Sequence, residues 1–572
     1  MSEYLTKLFL KRRGYSQQVL RDLDDGQHDQ LKNIDKMADI LKHVHDAQQQ
    51  IVVMPDFDCD GITAGTLGFA GLAELGFNAG LYTPDETKGY GIHVSDIDML
   101  LERFPDVKYI ITCDVGITCY DAFEYAYQKG IKVLITDHHE EKIDKPKPLR
   151  QETIVNPCQL NETYKLRDIC GAHVLWQVLS YYAKKYADDF AMQQISRLRV
   201  FAGIGTEGDS MPIVKENRQL LKSTISLLRF IYNCCNNDIV NSIPGCNVYK
   251  RVFIGLFDLI KVLDKTDKLR GEIDEEFLAF YVVPVFNSIK RMELPMTLAF
   301  GTFFADSKTQ LAYAQKMVEA NNQRKEKTAE YDQTLQTEIA NGQQPYAPYL
   351  FTTDAPAGLI GLIAQKEINR TNRPTFVINK QGLNGSGRTP EWFQALDLLP
   401  DTPDYQLAGH QCAFGISFNN QNHLADFKQK IMQLEQTYKP QMQSQKRDYD
   451  VALASNLYDK SAVKFDEVLN LDDCWDFYQD TQNLRPFGVG FNKPVVKIIF
   501  DTKSVEFRLM GKQQEHLKVI LPNKMELIAW NKAEDLAKLK QHKLNSFYGY
   551  FSVNSFRGKI SLQMIGDFKD AA

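Results

Sequence analysis

The sequence predicts an α/β protein with a doubly wound parallel sheet, a helical connector, a second and smaller α/β unit, and a C-terminal β-barrel. Between residue 49 and about residue 215, short apolar runs rich in β-branched residues alternate with segments of helical length and period. A similar alternation begins again at Tyr349. From about residue 455, short strand-like runs are separated by turn signals, which is typical of an all-β unit.

Bulk composition fits a multidomain protein of ordinary solubility. The chain has 572 residues, of which 44% are hydrophobic and 24% charged. No apolar run is long enough to span a bilayer, and the first residues lack a signal-peptide core. Ten cysteines without a Cys-x-x-Cys pair argue against a zinc site and favour reduced thiols. We therefore expect a cytoplasmic protein that does not contact a membrane.

The net charge of −6 counts mildly against a nucleic-acid-binding protein, because such proteins usually carry a basic excess. An acidic metal site would account for part of this deficit and would leave room for a local basic groove.

The first predicted strand ends in a cluster of carboxylates. Ile51–Met54 is apolar and too short for a helix, and Asp56, Asp58 and Asp60 follow it on alternate residues before Gly61. The helical pattern resumes at Ile62, which places the carboxylates in a loop at the carboxyl end of a strand. Open α/β sheets bind ligands there, and carboxylates so close together stay ionised only beside cations.

Further polar residues follow the next two apolar runs. Asp114 follows one run, Asp137-His138-His139 follow another, and Asp209 lies in a later glycine-rich segment. Converging carboxylates with an imidazole suit Mg²⁺ or Mn²⁺, and the imidazole favours Mn²⁺.

These motifs, in this order, resemble the four motifs of the DHH phosphoesterase family. The resemblance implies two metal ions, Mn²⁺ with Mg²⁺ as the alternative, and Asp114, His138 and His139 as catalytic residues. Asp114 would bridge the ions, Asp58 would bind one of them, and Asp60, His138 and Asp209 would bind the other. Asp56 would act as a ligand or support one, and His139 would face the scissile phosphate.

The second α/β unit contains two glycine-rich elements that suggest phosphate binding. These are Gly385-Ser386-Gly387-Arg388, interpreted as a loop, and the segment around Gly409-His410. Glycine allows a phosphate to approach the backbone, and arginine can bind it through two hydrogen bonds. Together they resemble the DHHA1 domain, which implies substrate binding by Ser386, Gly387, Arg388, Gly409 and His410.

The remaining segments complete the predicted domain order. The polar run from about residue 305 to 341 is interpreted as a solvated connecting helix, with Arg324 as a candidate contact to a nucleic-acid backbone. The aromatic and basic C-terminal strands suit an OB barrel. The predicted domains are a DHH domain at 1–304, a connecting helix at 305–342, a DHHA1 domain at 343–454 and an OB domain at 455–572.

The domain order resembles the RecJ single-strand exonucleases over nearly the whole chain. The resemblance implies a monomeric, metal-dependent 5′→3′ exonuclease on single-stranded DNA in repair and recombination, with a single-strand-binding protein as a candidate partner. One alternative is a DHH-family enzyme acting on RNA or short oligonucleotides. A non-catalytic replication scaffold is a weaker alternative, because every motif position is filled.

Overall fold

The computed structural model describes most of the chain between residues 30 and 570. The described residues are 10, 30–85, 89, 91–141, 153–160, 162–234, 243–265, 273–371, 373–390, 392–442, 467–511, 514–556 and 559–570. The predicted boundary between residues 454 and 455 lies outside these ranges.

The first sheet is parallel, with strand order β2-β1-β3-β4-β5. Its elements are α1 (Ile34–Asp46), β1 (Gln50–Pro55), α2 (Cys59–Glu74), β2 (Ala79–Leu81), α3 (Val94–Arg103), β3 (Val107–Cys113), α4 (Tyr120–Gln128), β4 (Lys132–Thr136) and β5 (Ile154–Val155).

Helices cover both faces of this sheet, as the doubly wound prediction requires. Ile51 and Val53 of β1 point into one buried core, which α1 and α2 line. Val52 and Met54 point into the opposite core, which α3 and α4 line. The alternation explains why β1 is apolar at consecutive positions, since both faces of the strand are buried.

A helical region follows the sheet and enlarges the first of the two cores. It contains α5 (Gly171–Tyr186), α6 (Asp189–Arg197), α7 (Arg199–Gly208), α8 (Lys215–Cys234), α9 (Asn247–Lys265), α10 (Glu275–Phe277), a π-helical turn (Leu278–Val282), α11 (Val283–Arg291) and α12 (Thr297–Phe304).

The connecting helix α13 (Ser307–Ala340) is not a solvated rod, so that interpretation is wrong. Met317 and Val318 are buried in the core of the first sheet, whereas Leu335 is buried in a small cluster of the second unit. Arg324 is only 8% exposed, although the sequence places it on a polar helix. The helix therefore joins the two units by packing against both.

The second unit has a mixed sheet with strand order β6-β7-β8-β10-β9. Its elements are β6 (Leu350–Thr353), α14 (Ala357–Thr371), β7 (Thr375–Asn379), β8 (Asn384–Arg388), α15 (Ala395–Leu398), β9 (Tyr405–His410), β10 (Ala413–Phe418) and α16 (Asn422–Met442).

The glycine-rich element at Gly385–Arg388 is strand β8 rather than the predicted loop. It pairs with β7 on one side and with β10 on the other. A Cβ on Gly387 would lie 2.2 Å from the Phe414 ring, so this glycine is required by close packing against the neighbouring strand.

The third sheet contains seven strands in the order β11-β12-β16-β17-β15-β14-β13. Its elements are β11 (Glu467–Leu469), a 3₁₀ turn (Leu471–Asp473), α17 (Cys474–Gln482), β12 (Val496–Ile499), β13 (Glu506–Met510), β14 (His516–Ile520), β15 (Glu526–Ala529), α18 (Asp535–Lys540), β16 (Leu544–Phe556) and β17 (Lys559–Asp570). It has its own core, which includes Phe477, Phe547 and Met564. In the described part of the chain, no helix is long and apolar enough to cross a membrane.

Candidate metal centre

The parallel ladder of the first sheet brings the ends of its central strands together. Beyond β1, the Asp56 amide donates to the Cys113 carbonyl at 3.1 Å. Beyond β3, the Asp114 amide donates to the Thr136 carbonyl at 3.0 Å. The two aspartates, distant in sequence, therefore leave the sheet at the same edge, where parallel sheets place their ligands.

Helix α2 begins at Cys59, three residues before the predicted start at Ile62. Asp58 is its N-cap and accepts a hydrogen bond from the Gly61 amide at 3.1 Å. Asp60 lies in the first turn, not in a loop. A Cβ on Gly61 would lie 2.3 Å from the Asp56 carbonyl oxygen, so glycine allows the helix to start this close to β1.

Asp60 is held by the N-terminus of another helix. Its two carboxylate oxygens accept from the Gly171 amide at 2.5 Å and the Ala172 amide at 3.1 Å, both in the first turn of α5. Unpaired amides and the helix dipole favour a negative charge at this position.

Asp209 reaches the same place from a helix end. It is the C-cap of α7, and its Oδ2 lies 3.2 Å from His138 Nε2. The same His138 nitrogen lies 3.0 Å from Asp114 Oδ1.

The predicted ligands form two groups that share Asp114. One contains Asp56, Asp58 and Asp114, and the other contains Asp60, Asp114, His138 and Asp209, with one donor atom from each residue within 4.8 Å of the others in its group. A third overlapping group contains Asp114, His138 and His139.

The buried charges of this cluster are not balanced by the described residues. Burial, followed by the charge of Asp58, raises the pKa of Asp56 to about 8. Burial, followed by the charge of Asp209, raises the pKa of Asp60 to about 7. Burial also raises the pKa of Asp114 well above its ordinary value, with Asp60 acting in the same direction.

Three donor atoms of the cluster fit a cation. Asp56 Oδ1, Asp114 Oδ1 and His138 Nε2 are buried and form no hydrogen bond of good geometry within the described residues, although His138 Nε2 lies 3.0 Å from Asp114 Oδ1. Oxygen donors with one imidazole suit Mg²⁺ or Mn²⁺, and such an ion would supply the missing partner of each atom. The residues present therefore fit the metals that the sequence predicts.

Asp137 differs from the other aspartates because its oxygens are fully engaged. Its Oδ1 accepts from the His138 amide at 2.7 Å and from His139 Nδ1 at 2.8 Å, and its Oδ2 accepts from the Ile117 amide at 2.9 Å. Burial would raise the pKa of Asp137, but the hydrogen bond from His139, the charges of His139 and His138, and the Ile117 amide together outweigh burial and lower this pKa to about 2. Asp137 therefore orients His139, a function that its place inside the motif conceals in the sequence.

Two side chains of α11, one of them cationic, lie beside the cluster. Lys290 Nζ lies 4.2 Å from the centroid of the Phe57 ring, and its charge opposes the rise in pKa of Asp56 and Asp58. Asn287 accepts a hydrogen bond from the Cys59 amide at 3.0 Å. The segment of Asn287 resembles an Asn-x-x-x-Arg element of RecJ proteins in sequence, but the predicted site residues include neither Lys290 nor Asn287, because the sequence does not show that this segment, some 230 residues downstream, contacts the start of α2.

The predicted phosphate-binding residues lie in the second unit, against α14. Arg388 donates to Ser386 Oγ at 2.7 Å, and a Cβ on Gly361 would lie 3.0 Å from the Arg388 guanidinium. The same helix contacts the first unit, because a Cβ on Gly358 would lie 2.4 Å from the carbonyl oxygen of Arg291. Gly409 pairs with Phe414 across β9 and β10, and the His410 side chain lies outside the described part. Helix α14 therefore links the Ser386–Arg388 strand to α11, which borders the metal cluster.

Two family models match the chain. The DHH family N-terminal domain matches residues 50–204, and the RecJ OB domain matches residues 465–567. The first covers the sheet and most of the predicted metal ligands, and the second covers the third sheet. Asp209 lies just beyond the end of the first match.

Curated relatives are named single-stranded-DNA-specific exonuclease RecJ. The Bacillus subtilis protein is 24% identical over 95% of this chain and 64% of its own length, so the chain spans less than two thirds of that relative. The Haemophilus influenzae protein is 25% identical over 94% of this chain and 91% of its own length.

Solved structures share the fold. RecJ from Thermus thermophilus in complex with Mn²⁺ has a TM-score of 0.72 and 19% identity, covering 99% of this chain and 76% of that one. A second structure, of exonuclease RecJ bound to manganese, has a TM-score of 0.53 and 22% identity, covering 70% of this chain and 94% of that one. These likenesses confirm the predicted fold class. The chain thus matches the DHH family N-terminal domain and the RecJ OB domain in two separate segments, and it is similar to RecJ proteins over most of its length.

Proposed function

We propose that this protein is a metal-dependent exonuclease that hydrolyses single-stranded DNA in the 5′→3′ direction. The observation that carries the proposal is the pair of largely buried donor groups that share Asp114, in which carboxylates from three separate segments of the chain converge with one imidazole. The substrate is supported by the names of the relatives, and the direction rests on the resemblance to RecJ proteins.

The proposed cofactor is a pair of Mn²⁺ ions, with Mg²⁺ as the alternative. Asp56, Asp58 and Asp114 would hold one ion, and Asp60, Asp114, His138 and Asp209 would hold the other. Bound there, two divalent ions would supply a water activated at neutral pH and neutralise the charge of the phosphate. Two donor groups joined by one carboxylate support this arrangement.

His139 is proposed to face the scissile phosphate as a cation. Because ionised Asp137 can only accept, the Nδ1 atom of His139 carries a proton. Burial would lower the pKa of His139, but the hydrogen bond to Asp137 and its charge raise it above the ordinary value. A protonated imidazole, 38% exposed and beside the metal donors, can stabilise negative charge on a phosphate oxygen.

Ser386 and Arg388 are proposed to hold the phosphate backbone of the substrate. The Arg388 guanidinium is oriented by Ser386 Oγ and by the Gly387 carbonyl at 2.8 Å, so its planar donors are held in one position. Such a group can bind a phosphate through two parallel hydrogen bonds. Gly387, Gly409 and His410 would complete this binding surface.

The third sheet is proposed to hold the trailing strand. Lys493 lies over the Tyr550 ring at 4.9 Å, and Lys497 lies over the Tyr548 ring at 5.2 Å. Tyrosines on alternate residues of β16 with lysines beside them combine stacking surfaces with positive charge, which suits single-stranded nucleic acid despite the net charge of −6. Monomeric state, cytoplasmic localisation, a single-strand-binding partner and the domain boundaries remain predictions.

The experiment is a Mn²⁺ titration of the full chain on one sequence prepared as 5′-labelled single-stranded DNA, blunt duplex DNA and RNA. We expect mononucleotide release from the 5′ end of the single-stranded DNA, dependent on Mn²⁺, and slow cleavage of the duplex. Asp114→Ala is the matched control for contaminating nucleases. Faster cleavage of RNA than of single-stranded DNA would show that RNA is the preferred substrate. Cleavage without a metal ion would overturn the proposal.

A further inference from the structure

The loop that carries Asp209 is packed against a segment from the C-terminal part of the chain. This loop, residues 209–214, connects α7 to α8. The segment, residues 484–491, precedes β12 and lies within the match to the RecJ OB domain. The Ile213 amide donates to the Val489 carbonyl at 2.7 Å.

The Asp209 side chain is held less tightly than those of Asp58 and Asp60. Asp58 and Asp60 accept hydrogen bonds from backbone amides at helix starts. Among the described contacts of the Asp209 carboxylate, we find only the approach of His138, and Asp209 is 21% exposed. Its position therefore depends on the backbone of its loop.

That backbone is strained and requires support. Ser210 has a φ of 54° and Lys215, the first residue of α8, a φ of 49°, so residues other than glycine take left-handed conformations near the start of the loop and directly after it. This conformation is unfavourable for a residue with a Cβ and persists only where the surroundings impose it. Asn217 supports one side by donating to the Pro212 carbonyl at 3.1 Å.

Residues 484–491 support the other side through Arg218. Arg218 is 4% exposed and donates to the Leu484 carbonyl at 2.5 Å and to the Pro486 carbonyl. Its guanidinium also lies 4.6 Å from the centroid of the Phe491 ring. A Cβ on Gly488 would lie 2.5 Å from Ile213 Cγ1, so the segment touches the loop without space for a side chain at this position.

The segment is itself anchored to the first unit. Arg485 binds Asp274 at 2.6 Å and Glu275 at 2.9 Å, and the Phe487 amide donates to Glu275 at 3.0 Å. Glu275 is 3% exposed, so this pairing is buried. Removing one partner of a buried ion pair is strongly destabilising, which makes the anchor a firm one.

We propose that residues 484–491 and Arg218 position Asp209, so that the part of the chain matching the RecJ OB domain completes the metal centre. In this arrangement Arg218 acts on Asp209 through the loop backbone and not as a metal ligand. The inference rests on the proposed function because it takes Asp209 as a metal ligand. It also implies that the C-terminal region does more than hold the strand.

The test is a titration of the full chain with Mn²⁺, followed by the EPR signal of the free ion. We expect two classes of binding site in the unaltered protein, and Asp209→Asn should weaken one of them. Arg218→Ala should weaken that same class by about 10- to 100-fold and leave the other unchanged, which is the range for residues that orient metal ligands. General destabilisation would affect both classes.

Gly488→Ala and Arg370→Ala are the companion variants. Gly488→Ala pushes Ile213 without removing any charge, and it decides the question if Arg218→Ala does not fold. Arg370 of α14 binds Asp332 of α13 at 2.5 Å, so Arg370→Ala removes a partly buried arginine away from the Asp209 loop and should leave both classes intact. Thermal unfolding of the metal-free proteins identifies the folded variants.

The outcomes separate this inference from the proposed function. Absence of Mn²⁺ binding by the unaltered chain would overturn the proposed function. Normal binding by a folded Gly488→Ala protein, while Asp209→Asn weakens one class, would overturn the positioning role and leave the proposed function standing. Equal weakening by Arg370→Ala would also overturn the positioning role.

Discussion

His139 Nδ1 lies 2.8 Å from Asp137 Oδ1, and the same oxygen accepts the His139 amide at 3.1 Å. One carboxylate thus fixes both the ring and the backbone of the histidine. The second oxygen of Asp137 is held by the Ile117 amide at 2.9 Å, so the carboxylate itself cannot rotate. Asn156 adds a donor to the His139 carbonyl at 2.9 Å.

Replacing Asp137 should therefore impair catalysis through His139. Asp137→Asn keeps the shape of the side chain but replaces the charged carboxylate with a neutral amide. The pKa of His139 should then fall, and its ring should lose its fixed orientation. We expect kcat on single-stranded DNA to fall by about 10- to 100-fold, the range for residues that orient functional groups. Mn²⁺ affinity should change little, because Asp137 belongs to neither donor group. Unchanged kcat in a folded Asp137→Asn protein would contradict this role.

Asp114→Ala should abolish cleavage and weaken both classes of Mn²⁺ site. Asp114 belongs to both donor groups, so its loss removes a ligand from each. The protein should stay folded and still bind single strands, which fluorescence anisotropy with a labelled oligonucleotide would check. Asp58→Ala is the comparison, because it should weaken only one class. If Asp114→Ala cleaves single-stranded DNA near the original rate in excess Mn²⁺, Asp114 is not a ligand shared by the two ions.

The metal-free protein should lose stability as the pH rises. The pKa of Asp56 is raised to about 8 and that of Asp60 to about 7, so the folded state binds protons that the unfolded state releases above its ordinary pKa near 4. His138 acts in the same direction: burial would lower its pKa, but the contact with Asp209 and the charges of Asp60 and Asp137 together raise the pKa to about 10. The stabilisation is present at low pH and disappears as the pH rises through these values.

We therefore expect the Tm of the metal-free protein to fall progressively between about pH 4, where the unfolded carboxyls ionise, and about pH 8, with His138 extending the fall toward pH 10. Saturating Mn²⁺ should raise Tm, and the increase should be larger at the upper end of this pH range because bound ions replace the protons. Differential scanning calorimetry in matched buffers measures both effects. A metal-free Tm that rises over this range would contradict the electrostatic account of the cluster.

Arg388→Ala should weaken substrate binding while leaving metal binding intact. Loss of a charge-assisted pair predicts a rise in KM of roughly 10- to 100-fold. Arg388→Lys should recover only part of it, since an ammonium cannot form two parallel hydrogen bonds. Steady-state kinetics with a short single strand separate KM from kcat. If Arg388→Lys has the same KM as the unaltered protein, the positive charge alone accounts for substrate binding at this position.

The sequence predicted the fold class well where local pattern and burial agree. The apolar run of β1 is buried on both faces, and the acidic motif follows it at the sheet edge, so strand, loop and cluster could be inferred together. The strand conformation of the glycine-rich β8 could not be predicted from the sequence, because pairing with two neighbouring strands overrides the turn preference of glycine. Arg324 is polar in sequence yet buried, because α13 packs against both units.

The parts of the site that sequence reasoning missed depend on contacts between distant segments. Asp137 stands inside a recognised motif, but its orienting function requires the positions of Ile117 and His139. Lys290 lies near the cluster only because α11 packs beside the start of α2. The support of Asp209 by residues 484–491 spans some 270 positions, as in the hydrogen bond from Arg218 to the Leu484 carbonyl.

Anomalous diffraction at the manganese edge, from crystals of the full chain soaked in Mn²⁺, tests the central claim most directly. The account predicts two peaks on either side of the Asp114 carboxylate, one among Asp56 and Asp58 and the other among Asp60, His138 and Asp209. In Asp114→Ala crystals both peaks should weaken. A single peak, or manganese bound away from Asp114, would contradict the shared metal centre.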